Sequence, residues 1–420
     1  MCGIIYRAII GGSRYHVVTQ NGQQPVATSP VHPKSNGISK PIFIVSLAIM
    51  AALGYLVGNN SGYILASLSG VKSTTETIDL SSVQETFRIL KANYDGTLDT
   101  QKLIDGASRG LTAAAGDRYT VFMDKEETTQ FEDDLSGHVS GIGAAIGVRS
   151  ALPTIVRTIP GSPAEQAGLK AGDVIVAVND EPVQEETVDQ IVQKIRGQSG
   201  TSVKVGVKRS EEVKDFTITR ADISDPSVRS EVKDGIGTLT ITRFDRDTAE
   251  KAREIAIQFK KQNIKAVIVD LRDNGGGYAN AGRDVAGLWL KNKVIFTEQQ
   301  GGKVVATERS GADAPLEGVK TIVLVNGGSA SASEIVAGAL QEYGAATLLG
   351  EKTFGKGSVQ QVLNLSGGRT LKVTIAKWYT SKGKNISKEG VTPDKAVSME
   401  TADIDAGRDP QMDAARAALQ

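Results

Sequence analysis

The sequence predicts a multidomain chain, α+β and α/β in class, behind an N-terminal transmembrane helix. Three observations lead there. An uncharged apolar run over 41–66 follows a basic segment that has no acid. Short Gly-punctuated strands with two helices fill 136–222. Nearly all-apolar strands then alternate with amphipathic helices over 223–400. At 420 residues, 40% hydrophobic and 23% charged, the chain is long enough for two or three domains with sizeable cores. The formal net charge is zero, which argues against a nucleic-acid partner.

The N-terminal 75 residues hold Arg7, Arg14, Lys34, Lys40 and Lys72 and no acid; the first acidic residue is Glu76. "PIFIVSLAIMAALGYLVG" (41–58), continued by "YILASL", is uncharged and long enough to span a bilayer as a helix over 41–66. The basic flank precedes it. The expectation is therefore a cytoplasmic basic segment (1–40), a single-pass anchor, a linker (67–77) and an extracytoplasmic remainder, periplasmic or at the cell surface. A cleaved signal peptide is the competing reading, although 40 residues make a long positive region for one. The sole cysteine, Cys2, precludes an internal disulfide. The histidines are His16, His32 and His138. Two of them precede the apolar segment, so a histidine-rich metal site is not expected.

Residues 78–135 read as a small helical region. In "SSVQETFRILKANY", Val83, Phe87, Leu90 and Tyr94 recur at spacings of three and four, and "DTQKLIDGASRGLTAAAG" repeats that logic and stops at Gly116. Residues 136–222 follow a different pattern. "GHVSGIGAAIGV" and "PTIVRTIP" read as strands. "GSPAEQAGLKAGDVIVAVND" reads as turn, short helix, turn and strand, "TVDQIVQKIRG" as an amphipathic helix, and "GTSVKVGVKR" and "KDFTITRA" as closing strands. This succession resembles a PDZ domain of the bacterial protease type. The resemblance makes Gly141, Ile142 and Gly143 the loop whose backbone N–H groups hold a C-terminal carboxylate, beside a strand edge that pairs with an extended peptide.

From residue 230 strands and helices alternate. "IKAVIVDLR" and "VKTIVLVN" are apolar on both faces, as parallel strands buried between layers are. Ligands in such a domain bind at the carboxyl ends of the strands. "DNGGGY" (273–278) and "VNGGSASASEI" (325–335) both follow such strands. Ser331 and Glu334 have capping-box spacing. The same position could hold a nucleophile, because the amides and dipole of a helix N-terminus favour developing negative charge. His138 is the one histidine beyond the anchor, so a Ser-His-Asp arrangement within the α/β domain is not available. A lysine whose pKa is lowered by burial can act as base instead. Lys356, between Gly355 and Gly357 in "EKTFGKGSVQQ", could be that base or an ordinary surface turn. In an extended segment Lys356, Ser358 and Gln360 share a face, so the Gln360 amide could orient the amine.

"SASASEI", "GEKTFGKGSVQQ", "DLRDNGGGY" and "KWYTSKGKNISKEGVTPD", taken with the domain order, resemble the C-terminal processing peptidases, or tail-specific proteases, over about 78–400. The resemblance implies a crotonase-like, ClpP-like α/β protease core over 223–400, followed by a tail (401–420). It implies Ser331 as nucleophile, Lys356 as general base and Gln360 as its orienter. It also implies an oxyanion hole from the N–H of Ala332 and of the NGGG loop, where Gly276 is favoured and Gly275 and Gly277 are alternatives. Ser329 and Ser333 are then turn and helix-start residues. The downstream motif departs from the family's Thr-Pro, reading Thr380-Ser381.

The expected function is thus a membrane-anchored serine endopeptidase that reads exposed C-termini of protein or peptide substrates and needs no cofactor or metal. Arg196, in "KIRGQSGT", is a candidate connector between the PDZ domain and the active site, or else a solvated helix-end residue. An oligomer or an adaptor protein is left open. The rivals are a non-catalytic PDZ scaffold that retains a protease fold, and a crotonase-like acyl-transfer enzyme.

Overall fold

The computed structural model describes residues 41, 43–47, 49–51, 76–149 and 152–420. The expected basic segment 1–40 lies outside the described residues, as do most of the expected anchor over 41–66 and of the 67–77 linker. Those described within 41–51 are helical. Among the described residues no helix is long and apolar enough to cross a membrane. The chain divides into two compact units, residues 1–78 and 79–420. The architecture below is that of the second unit.

The helical region consists of α1 (Ser81–Asn93), α2 (Thr100–Ala113), the short strand β1 (Val121–Met123) and α3 (Lys125–Ser136). Local sequence sets the bounds of α3. Asp124 and Glu127 close a capping box at its start, and Gly137 ends it in the left-handed region at φ 73°. Contrary to the helical expectation for 78–135, the region contributes β1 to a sheet of the α/β core.

The PDZ domain follows: β2 (His138–Gly141), β3 (Ala144–Arg149), β4 (Leu152–Thr158), α4 (Pro163–Ala167), β5 (Val174–Val178), β6 (Glu181–Pro182), α5 (Val188–Ile195), β7 (Ser202–Arg209), β8 (Glu212–Thr219) and β9 (Ala221–Ser224). β3, β4, β5, β7 and β8 pair in that order, with β6 on β5. The expected single strand over 137–148 is broken. Ile142 and Gly143 interrupt it, and β2 leaves the barrel to pair with β9. Gly143, at φ +78°, has no room for a side chain, since a Cβ would lie 2.3 Å from Ser162 Cβ.

The core adds β10 (Val228–Lys233), β11 (Ile236–Ile241), α6 (Thr248–Lys261), β12 (Ala266–Asp270), α7 (Ala279–Ala286), β13 (Val294–Gln300), β14 (Lys303–Arg309), β15 (Lys320–Val325), α8 (Ala332–Glu342), β16 (Thr347–Gly350), β17 (Ser358–Leu365), β18 (Arg369–Thr380), β19 (Lys395–Ala396), α9 (Thr401–Asp405) and α10 (Pro410–Leu419). Its main sheet runs β10-β11-β12-β15-β16-β19 and is parallel from β11 onward. Both faces are covered, which is why β12 and β15 are apolar throughout. Val267, Val269, Val323 and Val325 pack in the cluster that includes α6, α7 and α8. Ala266, Ile268, Ile322 and Leu324 pack on the opposite face with Ala415 and Leu419 of α10. Each fully buried Val, Ile or Leu among them contributes about 1.5–3 kcal/mol. The segment expected as a tail (401–420) is therefore part of the core's second layer. A second sheet runs β1-β18-β13-β14, with β17 also on β18.

Candidate active site

Parallel topology gathers the loops that follow β11, β12, β15 and β16 at one edge of the sheet. They carry Phe244, Gly275 to Gly277, Ser331 and Lys356, and all of these line one cavity of about 560 Å3. Ser331 stands at the junction of the loop after β15 with α8. Its backbone is at φ 55°, ψ −113°, a region non-glycine residues rarely occupy. The glycine loop presses against it: a Cβ on Gly276 would lie 2.7 Å from Ser331 Cβ. Its two serine neighbours are buried and committed to structure. Ser329 Oγ donates to the Leu271 carbonyl at 2.7 Å and Ser333 Oγ to the Asn274 carbonyl at 2.8 Å.

Glu334 organises the site. It is fully buried, and it accepts from the Ser331 amide (2.8 Å), the Thr353 hydroxyl (2.6 Å), the Gly355 amide (2.7 Å) and the Lys356 amide (3.0 Å). One carboxylate thus ties the backbone of Ser331 to that of Lys356. The reciprocal half of the capping box, Ser331 Oγ toward the Glu334 amide, falls short of a hydrogen bond. Trp378 Nε1 donates to the Lys356 carbonyl at 2.9 Å and completes the anchorage.

The Lys356 ammonium is half-buried. Burial first, then the nearby charge of Lys372, hold its pKa below the ordinary lysine value, against the opposing pull of Glu334. Lys356 Nζ lies 5.3 Å from the centroid of the Tyr119 ring, a cation–π arrangement, and no hydrogen bond joins it to Ser331 among the described residues. Lys372, on the same face of β18 as Thr374, is a second lysine on this cavity, and burial lowers its pKa as well.

Gln360 lines the cavity, but its partners differ from those expected. Its Nε2 donates to Ser358 Oγ at 2.8 Å and Thr374 Oγ1 at 3.2 Å, and Thr374 in turn donates to Asp117 at 2.5 Å. Ser358 and Gln360 lie on one face of β17, as expected, and Lys356 sits in the loop before that strand; the register shift opposite Val359 and Gln360 leaves Ile375 of β18 as the unpaired residue.

The oxyanion expectation also changes. The Ala332 N–H, first of α8, has no partner among the described residues. The Gly276 N–H, favoured from the sequence, is engaged by Asn274 Oδ1 at 2.9 Å. Asn274 itself is buried and held by the Ile241 carbonyl at 2.7 Å. The amides of Gly275 and Gly277 carry no such bond among the described residues, and both glycines line the same cavity.

Gly141, Ile142 and Gly143 line a separate cavity of about 290 Å3 together with Ile146, Val192 and Ile195. The Ile142 side chain is buried in the PDZ core, so this loop offers its backbone. Arg196 ends α5 and pairs with Asp134 of α3 at 2.5 Å, a contact to a neighbouring element that sequence periodicity could not indicate. Asp134 borders both cavities, and Phe131, Asp134 and Leu135, at helical spacing on α3, line the catalytic one. No group of His, Cys, Asp and Glu suited to a metal ion occurs among the described residues.

Sequence reasoning missed Asp117, Tyr119, Asn274 and Lys372 and gave Glu334 only a capping role. The signal for Lys372 was present: Thr370, Lys372 and Thr374 alternate on one face of β18. Asp117 and Tyr119 had none, since they precede the site by more than two hundred residues.

Residues 235–397 match the family model of peptidase family S41, 154–209 that of a PDZ domain, and 57–128 that of the activating protease CtpB N-terminal domain. The carboxy-terminal processing protease CtpA of Bacillus subtilis is 35% identical over 360 residues, 84% of this chain and 75% of that protein. A probable CtpA-like serine protease of Staphylococcus aureus is 32% identical over 357 residues, 84% of this chain and 70% of that protein. Among solved structures, the photosystem II D1 C-terminal processing protease aligns with a TM-score of 0.58 at 26% identity, covering 76% of this chain and 87% of that one. A putative S41 protease from Bacteroides fragilis shares the fold, with a TM-score of 0.54 at 16% identity over 83% of this chain and 97% of that one.

Proposed function

The chain belongs to the C-terminal processing serine proteases of peptidase family S41, and on that premise we propose that it is a membrane-anchored, extracytoplasmic endopeptidase with a Ser331-Lys356-Gln360 site. The observation that carries the site assignment is the Glu334 carboxylate, which holds the backbones of Ser331 and Lys356 together at the mouth of one cavity. Ser331 Oγ attacks the scissile carbonyl while neutral Lys356 Nζ takes its proton. The tetrahedral oxyanion forms at the N-terminus of α8, against the Ala332 N–H and a glycine-loop amide. As the intermediate collapses, Lys356 returns the proton to the leaving amine. Water, deprotonated by Lys356 Nζ, then attacks the acyl carbon, and Lys356 returns that proton to Ser331 Oγ as the carboxylic acid product leaves.

Lys356 must turn from Tyr119 toward Ser331 for this chemistry. Its backbone is pinned by Glu334 and Trp378, so the movement is a rotation of its side chain. Gln360 and Ser358 border the path and orient the amine once it arrives.

Because burial and the Lys372 charge lower the Lys356 pKa, kcat/KM should rise with pH through that lowered value and level off above it. The rising limb then lies below the range of an ordinary lysine. A plateau already complete well below neutral pH would exclude an amine as the base.

The basic, acid-free flank of the apolar run supports the anchor and its orientation. The PDZ loop at 141–143 supports recognition of substrate C-termini, and the Arg196–Asp134 pair supports coupling through α3, which borders both cavities. A substrate with a free apolar C-terminus should be cut faster than its C-terminally amidated twin when both are below saturation. A bulky residue at Gly143 should weaken that preference, and Arg196→Ala should slow cleavage without altering peptide binding by the PDZ domain. Equal rates for the two substrates would remove the carboxylate from the mechanism.

A further inference from the structure

We propose that Lys372 is a carboxylate-binding subsite of the catalytic cavity, where it receives an acidic group of the peptide substrate. The inference rests on reading this cavity as the substrate site.

Lys372 projects from β18 into the same cavity as Ser331 and Lys356. The acids facing that cavity or its catalytic loops are already engaged. Asp134 pairs with Arg196, and Glu334 is saturated by donors from Ser331, Thr353, Gly355 and Lys356. The other cations on the wall are Lys356 and Arg243, and Arg243 is bound to Asp225 and Asp245. Among the described residues, Lys372 has no ion pair. Its Nζ lies 5.5 Å from the Phe131 ring centroid, so an aromatic face is what the protein sets against it.

A half-buried ammonium without a counter-charge is disfavoured relative to water, and an incoming anion removes that penalty. The neutral Lys356 that catalysis requires also removes a repelling charge from the same cavity. Leu135 and Val362 line the wall and offer apolar contact to the stem of an acidic side chain. A carboxylate is the complement that a polypeptide can bring. It comes either from a Glu or Asp side chain near the scissile bond or from a short free C-terminus.

The test uses the full chain and two peptide series. One series is C-terminally amidated and carries Glu or Gln at each position flanking the scissile bond. The other has uncharged side chains and ends in a free carboxylate or an amide at increasing distance from that bond. The ratio of kcat/KM, acidic over neutral, carries the test, because Lys372 belongs to the proposed binding machinery and overall rates can fall with its replacement. At one position the ratio should be roughly tenfold, as for a desolvated charge pair. It should fall to about one in Lys372→Met and Lys372→Gln and persist in Lys372→Arg. A Lys372-dependent ratio in the first series identifies a side-chain carboxylate, and one in the second series alone identifies the tail. Binding of the same peptides to the Ser331→Ala chain, read by fluorescence anisotropy, should show the same preference. That arm stands even if the nucleophile is misassigned. Acidic and neutral peptides behaving alike in both series, or a preference that survives Lys372→Met and Lys372→Gln, overturns the subsite.

Discussion

Ser331→Ala and Lys356→Ala are each expected to abolish casein hydrolysis, and the double variant should be no slower than either single one. The nucleophile and its base act as one unit. Removing either leaves only binding and oxyanion stabilisation, a loss of roughly 10⁴-fold or more, and removing the second then subtracts nothing. Both side chains face a cavity, so their truncation should leave the melting temperature near that of the parent chain. Gln360→Ala should be milder, because Gln360 orients the base and its bonds run to Ser358 and Thr374. Wild-type activity in Lys356→Ala would disprove the Ser-Lys assignment. Strictly additive losses in the double variant would mean that the two residues act in separate steps.

Glu334→Ala should both inactivate and destabilise the protein. Its carboxylate is fully buried and satisfies three amides and one hydroxyl from two loops. Truncation strands those donors without water and leaves a cavity, at a cost of about 3–5 kcal/mol. Chemical denaturation monitored by circular dichroism measures that loss, and peptide hydrolysis measures the inactivation. Glu334→Gln separates the two effects. It keeps the volume but turns an acceptor into a donor among donors, so part of the stability returns while the loops remain misaligned. Its residual activity carries a further sign. The Glu334 charge raises the Lys356 pKa, so its removal should move the rising limb of the pH profile to lower pH. A Glu334→Ala chain as stable and as active as the parent would show that the tether is dispensable.

The resting geometry separates positioning from reaction. Lys356 Nζ rests against Tyr119, and Gln360 is engaged through Thr374 with Asp117. Both Asp117 and Tyr119 belong to the segment leading into β1, and β1 pairs with β18, the strand that carries Lys372 and Thr374. The base therefore depends on a part of the chain that periodicity assigns to a separate helical region.

What the sequence determined by itself was local. Apolar runs on β12 and β15 announced strands buried on both faces, and Asp124 with Glu127 and Gly137 bounded α3. Motif resemblance named Ser331, Lys356 and Gln360, and capping-box spacing marked Glu334. These signals depend on residues within a few positions of one another, so they survive in one dimension. The tertiary structure decided what meets across distance. The pairing of β17 with β18 engaged Gln360 with Thr374 as well as with Ser358. The closing of Asn274 onto Gly276 withdrew that amide, and the pairing of β1 with β18 brought Asp117 and Tyr119 to the base. Packing of α10 under the main sheet made an expected tail part of the core. Each of these follows from hydrogen bonds and burial between segments far apart in the chain, where no spacing rule links the partners and only the closing of the fold selects them.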